Sequence, residues 1–99
     1  MKKIRLSDHA RDDLDEIWLS IAIDNVPAAD GLIDKLETLL QRLLQFPEMG
    51  AARDEIRSGV RSFPCGNYLV LYRSMTNGIA VIRVVWGGRD LQALDYPPE

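Results

Sequence analysis

Gly59-Val60-Arg61-Ser62-Phe63, Pro64-Cys65-Gly66-Asn67, Tyr68-Leu69-Val70-Leu71-Tyr72-Arg73, Met75-Thr76-Asn77-Gly78 and Ile79-Ala80-Val81-Ile82-Arg83-Val84-Val85-Trp86 follow one another almost without interruption, and this stretch decides the fold. Its β-branched and aromatic runs predict three strands. The Pro/Gly and Asn-Gly punctuation between them predicts antiparallel pairing through tight hairpins. Gly87-Gly88-Arg89-Asp90 closes the stretch as a turn. Between Gly59 and Asp90 there are four arginines, Arg61, Arg73, Arg83 and Arg89, and Asp90 is the only acid. What those arginines face bears directly on what the protein does.

Upstream, residues 51–58 are polar around Ile56 and read as a loop or a single helical turn. Before them, Leu32, Ile33, Leu36, Leu39, Leu40, Leu43 and Leu44 recur at helical spacing in a wide apolar stripe. Asn25 is placed to cap that helix with Pro27 at its first position, Phe46-Pro47 ends it, and Gly50 marks the next turn. Ser7 is placed to cap an earlier helix reaching about Asp24. Its stripe is Ala10, Leu14, Ile17, Trp18 and Ile21, and Asp8, Asp12 and Asp13 lie at the positive end of its dipole. The joint between the helices is short, so they form an antiparallel hairpin. Lys2 to Leu6 alternates as a first, edge-type strand. Downstream, Leu91 to Leu94 reads as a last helical turn and Tyr96 to Glu99 as an extended end. The fold class is α+β: an N-terminal strand and a helical hairpin packed on one face of a small, mainly antiparallel sheet of about four strands, with residues 1–99 as one domain.

The totals narrow the function classes. The formal net charge is −3, which argues against a general nucleic-acid binder. The first 52 residues carry 6 Lys/Arg against 10 Asp/Glu, whereas residues 53–90 carry 6 Arg against 3 Asp/Glu. The positive charge of the strand-rich half is all guanidinium, whose planar fork suits carboxylate, phosphate or base edges. Cys65 is alone, so neither a disulfide framework nor a thiolate metal cluster is expected. No signal peptide or membrane span is evident, and the cytoplasm is the default compartment.

Catalytic groups are scarce. His9 is the only histidine and lies far in sequence from Cys65, so no metal ligand set and no nucleophile–base pair is expected. Asp12, Asp13, Asp15 and Glu16 spread around a solvated helix face. Gly87-Gly88 is too little for a phosphate loop, and no cofactor is implied. What remains is the sheet surface. Strand alternation puts Leu69, Leu71 and Arg73 on one face of the middle strand. In the last strand the charged set Ile79, Val81, Arg83 and Val85 is expected to turn away from the helices. The resulting face, Leu69, Leu71, Val81 and Val85 studded with Arg73 and Arg83, suits an amphipathic acidic peptide better than a phosphodiester backbone. The plainer alternative is that Arg73 and Arg83 pair with acids of their own fold. Leu19 and Ile23, four apart, fall outside the first helix's stripe. They are either scattered surface residues or a docking ridge.

Ala10, Asp13-Leu14 and Ile17; Leu43, Phe46-Pro47, Gly50 and Arg53; Gly59-Val60-Arg61; Tyr68, Leu71-Tyr72-Arg73; and Val84, Gly88-Arg89-Asp90 together give the chain a pattern that resembles the ParE toxins of bacterial toxin–antitoxin modules, within the RelE/ParE superfamily. The resemblance implies a small α+β toxin, not an enzyme, that binds DNA gyrase. It implies neutralisation by a ParD-like antitoxin in a hetero-oligomer that reaches operator DNA only through the antitoxin. RelE-type relatives instead cut mRNA on the ribosome. They carry an Arg after the aromatic that starts the middle strand, and lysines in the strand before it. Here those positions hold Leu69, Val60 and Ser62, so an mRNA endonuclease is the alternative rather than the first reading, with a non-toxic antitoxin-binding corepressor as a third. On this resemblance the antitoxin contacts are expected at Leu19, Ile23, Leu69, Leu71, Arg73, Val81 and Arg83. Arg61, Arg89 and Asp90 are expected to serve the target or to hold the C-terminal turn.

Overall fold

A computed structural model describes residues 1–97. Five strands form one sheet: β1 (Lys3–Leu6), β2 (Ala51–Ala52), β3 (Val60–Cys65), β4 (Tyr68–Met75) and β5 (Gly78–Trp86), in the order β1-β5-β4-β3-β2. β1 runs parallel to β5 and every other pairing is antiparallel. Two helices, α1 (Asp8–Ala22) and α2 (Val26–Gln45), lie on one face as a hairpin. The α+β class is as the sequence predicts, with one strand more than the expected four. That strand is Ala51–Ala52, two small residues paired to Ser62 and Arg61 in a segment too polar and too short to announce itself.

The caps form as their residue types dictate. Ser7 Oγ accepts from the Ala10 N–H at 3.0 Å, and Asn25 Oδ1 accepts from the Ala28 N–H at 3.0 Å. Pro27 sits one position further into α2 than predicted, because Val26 already begins the helix. Pro64 and Cys65 belong to β3 rather than to the turn, which shrinks to Gly66-Asn67. β2 reaches only as far as Arg61 and Ser62, so a residue without an N–H at Pro64 faces an open edge. Leu91–Ala93 form one turn of 3₁₀ helix, capped by Asp90 Oδ1 accepting from the Gln92 N–H at 3.1 Å. Of the extended end predicted from Tyr96, Pro98 and Glu99 lie outside the described residues.

The main core lies between helices and sheet. Leu36, Leu39 and Leu43 of α2 and Ala10 and Ile17 of α1 pack on Val70, Tyr72, Ile79, Val81 and Val84. Tyr72, fully buried, also carries a polar tie: its Oη donates to the Pro47 carbonyl at 2.7 Å and accepts from the Gly50 N–H at 2.9 Å. That approach needs glycine, since a Cβ on residue 50 would stand 2.6 Å from the tyrosine oxygen.

The strand faces depart from simple alternation at one point. Leu71 is opposite Arg83 but Tyr72 is opposite Val81, leaving Ile82 as an extra residue in β5. Such a bulge shifts the side-chain parity of everything beyond it. Ile79 and Val81 therefore face the helices before the bulge, and Val84 does so after it. The expectation that Val81 lies on the uncovered face is thus overturned: it is 1% exposed beneath the helices.

Candidate functional site

α1 crosses the part of β5 that β1 leaves unpaired. Ser7 donates its N–H to the Val81 carbonyl and its hydroxyl to the Ile82 carbonyl at 2.6 Å. Two turns on, Asp13 is buried instead of solvated. Its Oδ2 accepts from the Val84 N–H at 3.0 Å and from Arg83 Nε at 2.7 Å, and its Oδ1 accepts from Arg83 Nη2 at 2.8 Å. The third arm of the same guanidinium, Nη1, donates to the Asp95 carbonyl at 2.6 Å. The Asp13 hydrogen bonds hold the Arg83 pKa above its ordinary value against the opposing effect of burial. One carboxylate and one guanidinium therefore join the first helix, the free edge of β5 and the C-terminal segment.

That segment changes the surface expected to be open. Arg57 Nη1 donates to the Pro97 carbonyl at 2.6 Å, and Arg57 Cζ stands 6.0 Å from the centre of the Tyr96 ring. Arg53 Nε donates to Ser62 Oγ at 2.8 Å. Leu71, Ile82 and Val85, on the side of the sheet away from the helices, are all buried. Among the described residues, Leu71, Val81 and Val85 do not make the uncovered apolar face that alternation predicts. Leu71 and Val85 are buried on the side where Asp95 and Pro97 are tied down, and Val81 belongs to the core beneath the helices. Arg83 is likewise no free docking cation, because its donors are spent inside the fold. Replacing it would disturb folding and would not isolate a contact with a partner. Leu69 and Arg73 remain half-exposed on that side.

Arg61 Nη1 donates to the carbonyls of Gly50 (2.8 Å) and Glu48 (3.3 Å), fixing the turn after α2. At the C-terminal turn the Arg89 N–H, rather than its guanidinium, bonds to the Trp86 carbonyl at 3.1 Å. The Arg89 side chain is exposed and lines a shallow groove of about 250 Å³ with Glu16 and Ser20 of α1, Tyr68 and Trp86. Trp86 is 56% exposed. It shares the parity of the helix-facing Val84 but ends β5, at the rim of the sheet. On the other side of α1 the ridge is present: Leu19 is 57% exposed and Ile23 83%, and Val26 at the start of α2 is exposed as well. Asp12, Asp15, Glu16 and Asp24 on α1 and its end surround these groups, giving an apolar strip in an acidic field.

Among the described residues no three His, Cys, Asp or Glu side chains group as metal ligands would. Cys65 is buried and desolvation pushes its thiol pKa up, so it presents no reactive thiolate. No helix is long and apolar enough to cross a membrane.

A family model described as ParE toxin of type II toxin-antitoxin system, parDE, matches residues 4–91. The chain belongs to the ParE toxin family. It is 30% identical over 82 residues to Toxin ParE3 of Caulobacter vibrioides, covering 82% of each chain. It is 33% identical over 86 residues to Toxin ParE1 of the same organism, covering 86% of this chain and 88% of the relative. With Toxin ParE1 of Mycobacterium tuberculosis it shares 35% identity over 83 residues, 81% and 84% of the two chains. Among solved structures, a chain from the chromosomal ParDE TA system of P. aeruginosa superposes with a TM-score of 0.71 over 87% of this chain and 96% of that one. At 21% identity this last likeness speaks for the fold alone. The ParE match spans both helices and the whole sheet and stops at Leu91, so the segment that seals the far face lies almost entirely beyond it.

Proposed function

We propose that this ParE-family chain arrests growth by binding DNA gyrase, acts without catalysis of its own, and is held inactive in the cytoplasm by a ParD-like antitoxin through which it reaches operator DNA. The observation that carries the reading is the commitment of the sheet's arginines. Arg83, Arg53 and Arg61 hold structural hydrogen bonds, so they are not poised around a scissile phosphate as phosphodiester cleavage requires. The groups left outward are those of a protein-binding surface: the Leu19, Ile23 and Val26 strip, and the groove with Trp86 and Arg89. The antitoxin docks on the strip, with Leu69 and Arg73 as further contacts. Arg89 and the turn capped by Asp90 face the target.

The test uses purified chain, gyrase and supercoiled plasmid. The expected result is linear DNA after detergent and protease treatment, suppressed when the cognate antitoxin is added first. Codon-phased cuts in mRNA with no trapped gyrase would overturn the reading in favour of a ribosome-dependent nuclease. Induction with no growth defect would reduce the chain to a corepressor.

A further inference from the structure

β1 ends at Leu6, whose register partner is Val81, while β5 runs on to Trp86. Val84 therefore faces the helices past the point where β5 loses its strand neighbour. The α2 stripe is wider than the surface it covers, since Ile33, Leu40 and Leu44 stay half-buried. Between the layers lies a hollow of about 120 Å³. Val81 and Val84 line it from the sheet, Leu6 and Leu14 from β1 and α1, and Ile33, Leu36 and Leu40 from α2. Leu36, Val81 and Val84 are buried, whereas Leu6, Leu14, Ile33 and Leu40 are half-buried, so the hollow runs from the core to the surface. The one polar residue among its described lining is Glu37, which is exposed. It follows Ile33 by four positions and precedes Leu40 by three, so all three share a face of α2. Four larger hollows each carry an arginine in the wall, and this one has no cation among its described lining residues.

We propose that this hollow binds a small apolar amine: one aromatic ring or branched alkyl group among the aliphatic walls, with its ammonium group at Glu37. The walls offer water no hydrogen-bond partner, and an apolar cavity of about 150 Å³ stays dry and accepts benzene or xenon. A polypeptide segment does not fit, because a helix with its side chains is about 10 Å across. The charge at the mouth selects the cation. Asp34, three positions before Glu37 on the same side of α2, adds a second exposed carboxylate. Lys35, two positions from Glu37, lies on another side of the helix, where its charge acts on the Cys65 thiol. Because Glu37 is exposed, its ion pair adds little affinity and mainly sets the ligand's orientation. The site goes beyond the toxin reading and does not depend on it, since its test measures binding alone.

The experiment titrates the full chain, labelled at its Leu, Ile and Val methyl groups, with benzylamine near neutral pH. The expected result is saturable shifts at Leu14, Ile33, Leu40 and Val84, and a urea midpoint that rises with ligand concentration. Benzylamine should bind about threefold more tightly than benzoate, and Glu37→Gln should abolish that preference. Leu40→Phe puts a ring of the chain's own into the hollow and should cut benzylamine affinity at least about tenfold. Ile33→Phe fills the same space from two turns earlier, should Leu40→Phe fail to fold. No saturable shift with benzylamine would overturn the site. So would full-strength binding in a folded Leu40→Phe or Ile33→Phe chain, or benzoate held as tightly as benzylamine. Shifts of the same methyl groups on concentrating the chain alone would give the hollow to a second copy and equally overturn it.

Discussion

The two faces of the sheet are sealed by different physics. On one side α2 lays Leu36, Leu39 and Leu43 over Val70, Val81 and Val84, a seal made by aliphatic area that tolerates repacking. On the other, Leu71, Ile82 and Val85 are buried where a C-terminal segment is held down through the Arg83 to Asp95 and Arg57 to Pro97 hydrogen bonds. The first seal is broad and redundant. The second hangs on a few charge-assisted bonds, and its failure should be all-or-none around Asp13.

Asp13→Ala is therefore expected to be the most damaging change. It leaves the Arg83 guanidinium and the Val84 N–H without their acceptor in a site where both side chains are about 10% exposed (11% and 9%), and it frees α1 from the edge of β5. Removing one partner of a buried ion pair costs about 3–5 kcal/mol, measurable as a shift in the urea midpoint. The double change Asp13→Leu with Arg83→Leu sharpens the comparison. Without a stranded charge it should lose less than Asp13→Ala alone. A double variant as unstable as the single would show that the damage comes from the bond to Val84 rather than from the unpaired cation.

Tyr72→Phe probes the helix-side seal at a buried polar tie. The change strands the buried Gly50 N–H, at a cost of about 1–3 kcal/mol. It also has a pH signature. Burial raises the Tyr72 pKa above its ordinary value, with the Gly50 hydrogen bond and Arg61 pulling the other way. The folded state thus favours the neutral phenol. The associated stability is fully present below the unfolded pKa of about 10 and is lost as pH rises toward the folded value. Urea unfolding from pH 9 to 11 should show a steeper alkaline decline for the natural chain than for Tyr72→Phe. Parallel declines would show that the phenol is not the group responsible.

The contrast between the faces also explains what the sequence could reveal. The helix hairpin, the caps at Ser7 and Asn25 and the three long strands follow from local spacing, and all were legible. The set of residues on each face of β5 was not. Every position from Ile79 to Val85 except Ala80 and Arg83 is a large aliphatic, so nothing in the pattern marks Ile82 as the bulge that changes parity. Arg83 and Asp13 lie 70 positions apart, and Asp13 looked like one more acid at the positive end of a helix. The hint was its place within the Ala10, Leu14 and Ile17 stripe, where a solvated carboxylate does not belong. The far-face seal was out of reach, because Asp95 and Pro97 contribute only backbone carbonyls, which no side-chain pattern records.

The smallest effect on folding is expected where the proposed function needs most. Leu19→Ser together with Ile23→Ser removes side chains that neither seal uses, so the unfolding free energy from urea titration should change by no more than about 0.5 kcal/mol per site. The antitoxin, if it covers this strip, loses two apolar contacts at once, and its affinity in calorimetry should fall at least about tenfold. That pairing of outcomes is what neither sheet face can give: Asp13→Ala would weaken any partner simply by loosening the fold. A Leu19/Ile23 double variant that is stable and still binds the antitoxin at full strength would return the strip to the ordinary scatter of surface aliphatics and move the proposed antitoxin contact elsewhere on the surface.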